Sequence, residues 1–199
     1  MALSPAIFLD KDGTLLADVP YNVDPALMTF APGSRAGLRR LASTGLPLVV
    51  ISNQSGLAYG RFDEAQLAAM AQRLKRMFSD AGAQLDALYW CPHHPAGSVS
   101  RYARLCDCRK PACGLLRRAA KDLRLDLSAS WMIGDILDDV EAGRRAGCET
   151  VLLNVGNETI WRGGQLRRPR IVVPDLLAAA DAVLARLASR GGLLNGVAA

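Results

Sequence analysis

The chain has 199 residues, half of them hydrophobic, with 24 basic against 19 acidic side chains and a net charge of +5. That length and apolar content support one sizeable core rather than a disordered chain. No apolar run approaches the ~18 residues of a membrane span, and the residues before Asp10 lack a basic segment and a long apolar run of the secretory type. A cytoplasmic protein with no membrane partner is therefore expected. The arginines are scattered and few aromatics interleave with them, so they read as a solvated surface and no nucleic-acid partner is expected.

Residues 6–9 (AIFL) form a short apolar run ended by Asp10-Lys11-Asp12-Gly13-Thr14. Such a run before a turn signal predicts a buried parallel strand. Residues i and i+2 of extended chain point the same way, so Asp10 and Asp12 can face one crevice beyond the strand end. Two converging carboxylates suit a hard, oxygen-loving cation such as Mg²⁺. Residues 15–34 carry Pro20, Pro25 and Pro32 without a sustained period, which predicts a loop over that crevice with Asp18 and Tyr21 near a substrate. Pro32-Gly33-Ser34 opens a helix to about residue 42, ended by Gly45.

Residues 46–51 (LPLVVI) predict a second strand that opens into Ser52-Asn53-Gln54-Ser55-Gly56. Hydroxyl and amide groups at a strand's carboxyl end, followed by glycine, make a phosphate cradle. Residues 62–81 predict an amphipathic helix with Leu67, Met70, Leu74, Met77 and Phe78 on one face. A strand follows over 85–90. Then Cys91-Pro92-His93-His94-Pro95 and Cys106-Asp107-Cys108-Arg109-Lys110-Pro111 bring together both histidines and three of the five cysteines. Cys91, His93, Cys106 and Cys108 suit a closed tetrahedral Zn²⁺ site, structural because it leaves no open position. His94 is the alternative fourth ligand, with His93 preferred by its alternation with Cys91. Such a zinc would pin residues 97–105 and orient Arg109 and Lys110. Cys113 and Cys148 read as small buried residues. Arg109 is placed to fork onto a second anionic group of the substrate.

A helix is predicted over 113–125 with Leu115, Leu116, Ala119 and Leu123 inward, then a strand over 130–133 opening into Gly134-Asp135-Ile136-Leu137-Asp138-Asp139. The next helix reaches about residue 146. Strands over 150–154 and 171–173 flank a basic loop, residues 156–170, and a helix over 174–187 closes the domain. Residues 1–188 are read as one domain and the Gly-rich 189–199 as a flexible tail.

DKDGT, SNQSG, CDCRKP and GDILDD, in this order, resemble the four motifs of the haloacid dehalogenase (HAD) superfamily. The resemblance implies an α/β Rossmann-like fold: a central parallel sheet flanked by helices, a zinc-pinned loop and no large cap. It makes Asp10 the nucleophile and Asp12 the general acid and base. Ser52 would hydrogen-bond the phosphoryl group, and Lys110 would neutralise nucleophile and phosphate. Asp135 would complete the Mg²⁺ site with Asp10 and the backbone carbonyl of Asp12, Asp139 supporting it and Asp138 helping to cap the helix. Asn53, Gln54 and Ser55 would join the substrate cradle. CPHHP with CDCRKP is similar to the zinc-containing phosphatases of small phosphosugars, the heptose bisphosphate 7-phosphatases above all. That implies an Mg²⁺-dependent phosphomonoesterase, expected as a monomer, acting in heptose nucleotide and lipopolysaccharide precursor synthesis. Ile136 departs from the pattern, since relatives often carry lysine there. Histidinol-phosphate phosphatase is the nearest rival. A 3′-phosphatase of nucleic-acid ends, a mutase and a non-catalytic zinc-stabilised module are the further alternatives.

Overall fold

The computed structural model describes residues 3–195, and side chains within that span as far as Ser189. Its centre is β1, Ile7–Leu9, whose three residues are fully buried. The register continues through β2 (Leu48–Asn53), β3 (Ala87–Cys91), β4 (Trp131–Gly134), β5 (Glu149–Leu153) and β6 (Ile171–Val173). The six strands form one sheet in the order β3-β2-β1-β4-β5-β6, and every pairing is parallel. The chain builds outward from β1 to β3, then crosses back to β4 on the other side. Strand order therefore reverses between β1 and β4, and the crevice beyond their carboxyl ends is where such sheets hold ligands.

Alternation along the strands divides the core. Ile7, Leu9 and Val50 face one layer, built from α1 (Ser34–Ala42), α2 (Glu64–Asp80) and α5 (Leu176–Asn195). Phe8, Val49 and Ile51 face the other, built from α3 (Gly114–Leu123) and α4 (Leu137–Ala146). Burial on both faces is why these strands read as unbroken apolar runs. In α2 the buried stripe is Leu67, Met70, Leu74, Met77 and Phe78, the helical face expected from spacing. Asp63 caps it: its carboxylate accepts from Gln66 N at 2.8 Å, and Gln66 Oε1 accepts from Asp63 N at 3.0 Å.

Three local expectations change. Leu123 ends α3 and is 36% exposed. Arg124 turns the chain there at φ 57°, so the inward stripe stops at Ala119 and Leu125 fills the core instead. Strand β2 runs two residues further than expected, which puts Ser52 and Asn53 on the sheet itself. Helix α5 continues to Asn195 across residues expected to lie in the tail; residues 196–199 of that tail lie outside the described residues. Among the described residues no helix is long and apolar enough to cross a membrane.

Candidate active site

Asp10 leaves β1 and Asp135 leaves β4, side by side at the reversal of strand order. Carboxylate oxygens of Asp10, Asp135 and Asp139 all lie within 4.8 Å of one another, and all three residues are buried. Lys110 reaches this cluster from the loop before α3. Its ammonium donates to Asp10, to Asp139 at 2.5 Å and to the carbonyl of Ile51 at 3.2 Å. Burial opposes the charge on Lys110, but Asp10 and Asp139 more than offset it and hold the ammonium above its ordinary range. Burial, reinforced by the charge of Asp10, pushes the Asp135 carboxyl up to about 6.

Three carboxylates thus converge around one ammonium, which pairs with two of them. The excess of hard oxygen donors fits a Mg²⁺ ion, which would relieve the repulsion that raises Asp135. The carboxylate of Asp12 is not part of this cluster. It points to Lys11 Nζ at 2.8 Å and accepts from Gln54 Nε2 at 3.2 Å, which leaves its backbone carbonyl as the ligand atom the resemblance implied. Desolvation raises the Asp12 carboxyl, Lys11 opposing and Asp10 adding to the shift. A raised carboxyl is suited to carry a proton between leaving group and water.

Several further residues also hold the cluster in place. Thr14 Oγ1 donates to Asp135 Oδ1 at 2.8 Å and Asn157 Nδ2 donates to Asp135 Oδ2 at 2.8 Å, so both oxygens are fixed. Lys11 is fully buried, tied to Asp12 and to the carbonyl of Asn22 at 3.4 Å. Glu158 Oε2 accepts from Leu137 N at 2.9 Å at the start of α4. Thr14 and Lys11 lay inside the DKDGT stretch. Asn157 and Glu158 sit in the loop read as merely basic, and nothing local marks them. Gly13 has φ +79°, and a Cβ there would collide with the Asp135 carboxylate; Gly134 likewise leaves room for the Asp139 side chain.

Asp138 does not cap α4. The helix starts after Ile136, whose N–H is satisfied by Asp139 Oδ2 at 3.3 Å. Asp138 already lies within the first turn and pairs with Arg167. Ser52 is buried, and its Oγ accepts from Gln54 Nε2 at 2.8 Å. Asn53 is committed elsewhere than the sequence cradle implied: its amide meets Lys110 O at 3.2 Å and Lys110 N at 3.0 Å, clamping the backbone of that lysine. The crevice over Asp10 is lined by Asp18, Ser52, Ser55, Arg109 and Ile136. Tyr21 lines an adjoining recess with Asp12 and Gln54. Nη1 of Arg109 is buried with no acceptor.

The four soft donors also assemble. Cys91 Sγ is 3.0 Å from Cys108 Sγ and 3.5 Å from Cys106 Sγ, and His93 Nδ1 is 3.3 Å from Cys108 Sγ. Tetrahedral zinc with bonds of about 2.0–2.3 Å requires donor separations of roughly 3.4–3.8 Å, so this donor set fits a zinc ion with slight expansion. His94 is turned away from it, with Nδ1 on Tyr59 Oη at 2.7 Å, which leaves His93 as the fourth donor.

Two outcomes follow from this geometry. Lys110→Met should strand two buried carboxylates without their cation and cost about 3–5 kcal/mol in urea unfolding with Mg²⁺ omitted; an unchanged midpoint would show that the lysine does not hold the cluster together. Cys106→Ser should lower zinc content, measured by atomic absorption, and melting temperature together. Full stability with no bound metal would remove the zinc from the structure.

Residues 107–179 match a family model described as HAD-hydrolase-like. The D-glycero-β-D-manno-heptose-1,7-bisphosphate 7-phosphatase of Escherichia coli K12 is 40% identical over 184 residues, 92% of this chain and 90% of that protein. The Yersinia pestis enzyme of the same name is 39% identical over the same shares apart from 92% of its own length. Among solved structures, D,D-heptose 1,7-bisphosphate phosphatase from B. bronchiseptica, complexed with magnesium and phosphate, superposes with a TM-score of 0.78 at 34% identity, covering 92% of this chain and 99% of that one. The Burkholderia thailandensis counterpart gives 0.66 at 27% identity, covering 91% and 99%. The sheet order, the acidic cluster with its lysine and this degree of likeness lead to one conclusion: the chain belongs to the HAD-like phosphatases, in the family of the heptose-1,7-bisphosphate 7-phosphatases.

Proposed function

We propose that this protein is an Mg²⁺-dependent phosphomonoesterase that removes the 7-phosphate of D-glycero-D-manno-heptose 1,7-bisphosphate through an aspartyl-phosphate intermediate. The observation that carries the substrate class is Arg109. Its Nη1 is buried without an acceptor on a residue that lines the same crevice as Asp10, and a buried guanidinium donor of this kind calls for a bound anion. A substrate with two phosphates satisfies both the nucleophile and this arginine, whereas histidinol phosphate has one.

In this reading Asp10 attacks phosphorus and the bond from phosphorus to the sugar oxygen breaks. Asp12 protonates the departing oxygen, then takes a proton from the water that attacks the acyl phosphate and frees Asp10. Lys110 pairs with Asp10 and sets positive charge beside the phosphoryl oxygens. Gln54 donates to Ser52 Oγ, which leaves the Ser52 hydroxyl proton free for a phosphoryl oxygen. Asp10, Asp135 and the Asp12 carbonyl would hold Mg²⁺, with Asp139 behind them; when bound it supplies charge that offsets the repulsion between anionic phosphate and anionic nucleophile. Asp18, Tyr21 and Ser55 are assigned to the sugar side of the crevice, and Ile136 leaves one corner of it apolar. Zinc serves as a structural clasp. Five unbridged cysteines accord with a reducing cytoplasm. A monomer acting on a small phosphosugar, as a step toward lipopolysaccharide precursors, completes the proposal.

The test is phosphate release with Mg²⁺ from heptose 1,7-bisphosphate, histidinol phosphate and fructose 1,6-bisphosphate. The heptose bisphosphate should give kcat/KM in the range of about 10⁴–10⁸ M⁻¹s⁻¹ and stand far above the others. Comparable weak rates on all three would discard the heptose substrate and direct attention to Ile136.

A further inference from the structure

A cavity of about 460 Å³ opens beside the catalytic crevice and shares Arg109 and Lys110 with it. Its charged lining is paired with opposite charge except at Arg104 and Arg109. Lys110 serves Asp10 and Asp139, Asp138 pairs with Arg167, and Arg145 pairs with Glu141 at 2.6 Å. Arg104 Nη2 lies 2.8 Å from His93 Nε2. Arg109 remains with a buried Nη1 that has no acceptor, and both protein hydrogen bonds of the half-buried His94 ring fall on one edge.

His94 is held by its other edge. Its Nδ1 receives the backbone N–H of Ala96 at 3.2 Å and lies 2.7 Å from Tyr59 Oη. A backbone amide can only donate, so Nδ1 carries a lone pair, the tyrosine hydroxyl donates as well, and the ring proton sits on Nε2. The imidazole also rests against the Tyr59 ring, centroids 5.0 Å apart, and Tyr59 in turn takes Tyr21 edge-on at 5.9 Å. Tautomer and orientation are thus both fixed, and the Nε2–H is left without a protein acceptor on a residue that lines the cavity.

We infer that His94 is a specificity residue: its Nε2–H, beside the Arg109 fork, binds the distal phosphate of the substrate, and Tyr59 is the residue that positions it. The inference rests on the two-phosphate reading above. It assigns the second histidine of the CPHHP stretch to substrate, while the first belongs to the zinc set. It also couples the zinc loop to the substrate loop at Tyr21 through one aromatic contact chain.

The experiment compares kcat/KM for heptose 1,7-bisphosphate with that for heptose 7-phosphate, which lacks the distal group. His94→Asn keeps an acceptor near Nδ1 and removes the distal donor; His94→Gln restores a donor near the Nε2 position. His94→Asn should lower the bisphosphate-to-monophosphate ratio roughly tenfold or more, as expected for a hydrogen bond to a charged group. The loss should enter through KM, zinc content should be retained, and His94→Gln should recover much of the ratio. Tyr59→Phe should shift the ratio in the same direction by less. A ratio unchanged in His94→Asn but reduced in Arg109→Ala overturns the role of His94 and leaves the two-phosphate reading standing. Equal losses on both substrates make His94 structural and also overturn it. A wild-type enzyme that treats both substrates alike overturns the underlying reading itself. If the variants do not fold, imidazole NMR of the wild type titrated with the product heptose 1-phosphate decides. The His94 proton should sit on Nε2 and its resonance should move; a proton on Nδ1, or no movement at saturation, rejects the inference.

Discussion

A buried ammonium between two buried carboxylates is the constraint on which the rest of this molecule depends. Lys110 reaches Asp10 and Asp139 where all three side chains are buried. A lone charge there is costly, and the group is tolerable only as a set with good hydrogen-bonding geometry. The members of that set come from three distant parts of the chain. Asp10 is delivered by the central strand, Asp139 by the first turn of α4, and Lys110 by the segment that directly follows the zinc ligands. The double hydrogen bond of Asn53 to the Lys110 backbone welds that segment to the end of β2. The Cys/His cluster, which fits a zinc ion, therefore lies only two residues before the lysine that pairs with Asp10 and Asp139.

The same economy appears in how the anionic side is held. Thr14 and Asn157 each take one oxygen of Asp135, and Gly13 and Gly134 are the residues that let backbone and carboxylates approach closely. The site is thus fixed by hydrogen bonds and steric fit before any ligand arrives, and stored electrostatic tension, seen in the raised Asp135 and Asp12 carboxyls, is directed toward a cation and a proton. Preorganised charge of this kind costs no rearrangement at the moment of reaction.

Much of this was legible in the sequence because the chemistry lies in short stretches at strand ends. In DKDGT and GDILDD the strand, the turn and the functional carboxylates are contiguous, and the zinc set is two close ligand pairs whose spacing carries the meaning. What escaped was non-local or a matter of one residue of phase. Asn157 and Glu158 act on residues more than 20 positions away, and nothing around them in the chain announces it. Asp138 and Leu123 were misplaced because a helix start, or a helix end, two residues earlier than expected rotates a side chain out of its expected role. Lys11 lies between two aspartates in a turn, where a solvated side chain is the usual outcome; it is buried here because the loop after Thr14 folds back over it. Gly191 and Gly192 suggested an early end to α5, yet the helix continues past them.

The central claim is that Asp10 becomes phosphorylated during turnover, and trapping that species tests it most directly. Enzyme quenched in mid-turnover and reduced with borohydride should carry homoserine in place of aspartate at position 10 in peptide mass spectra, dependent on substrate and Mg²⁺. An unmodified Asp10 under conditions of steady phosphate release, or a covalent phosphate trapped on another residue, would contradict the account.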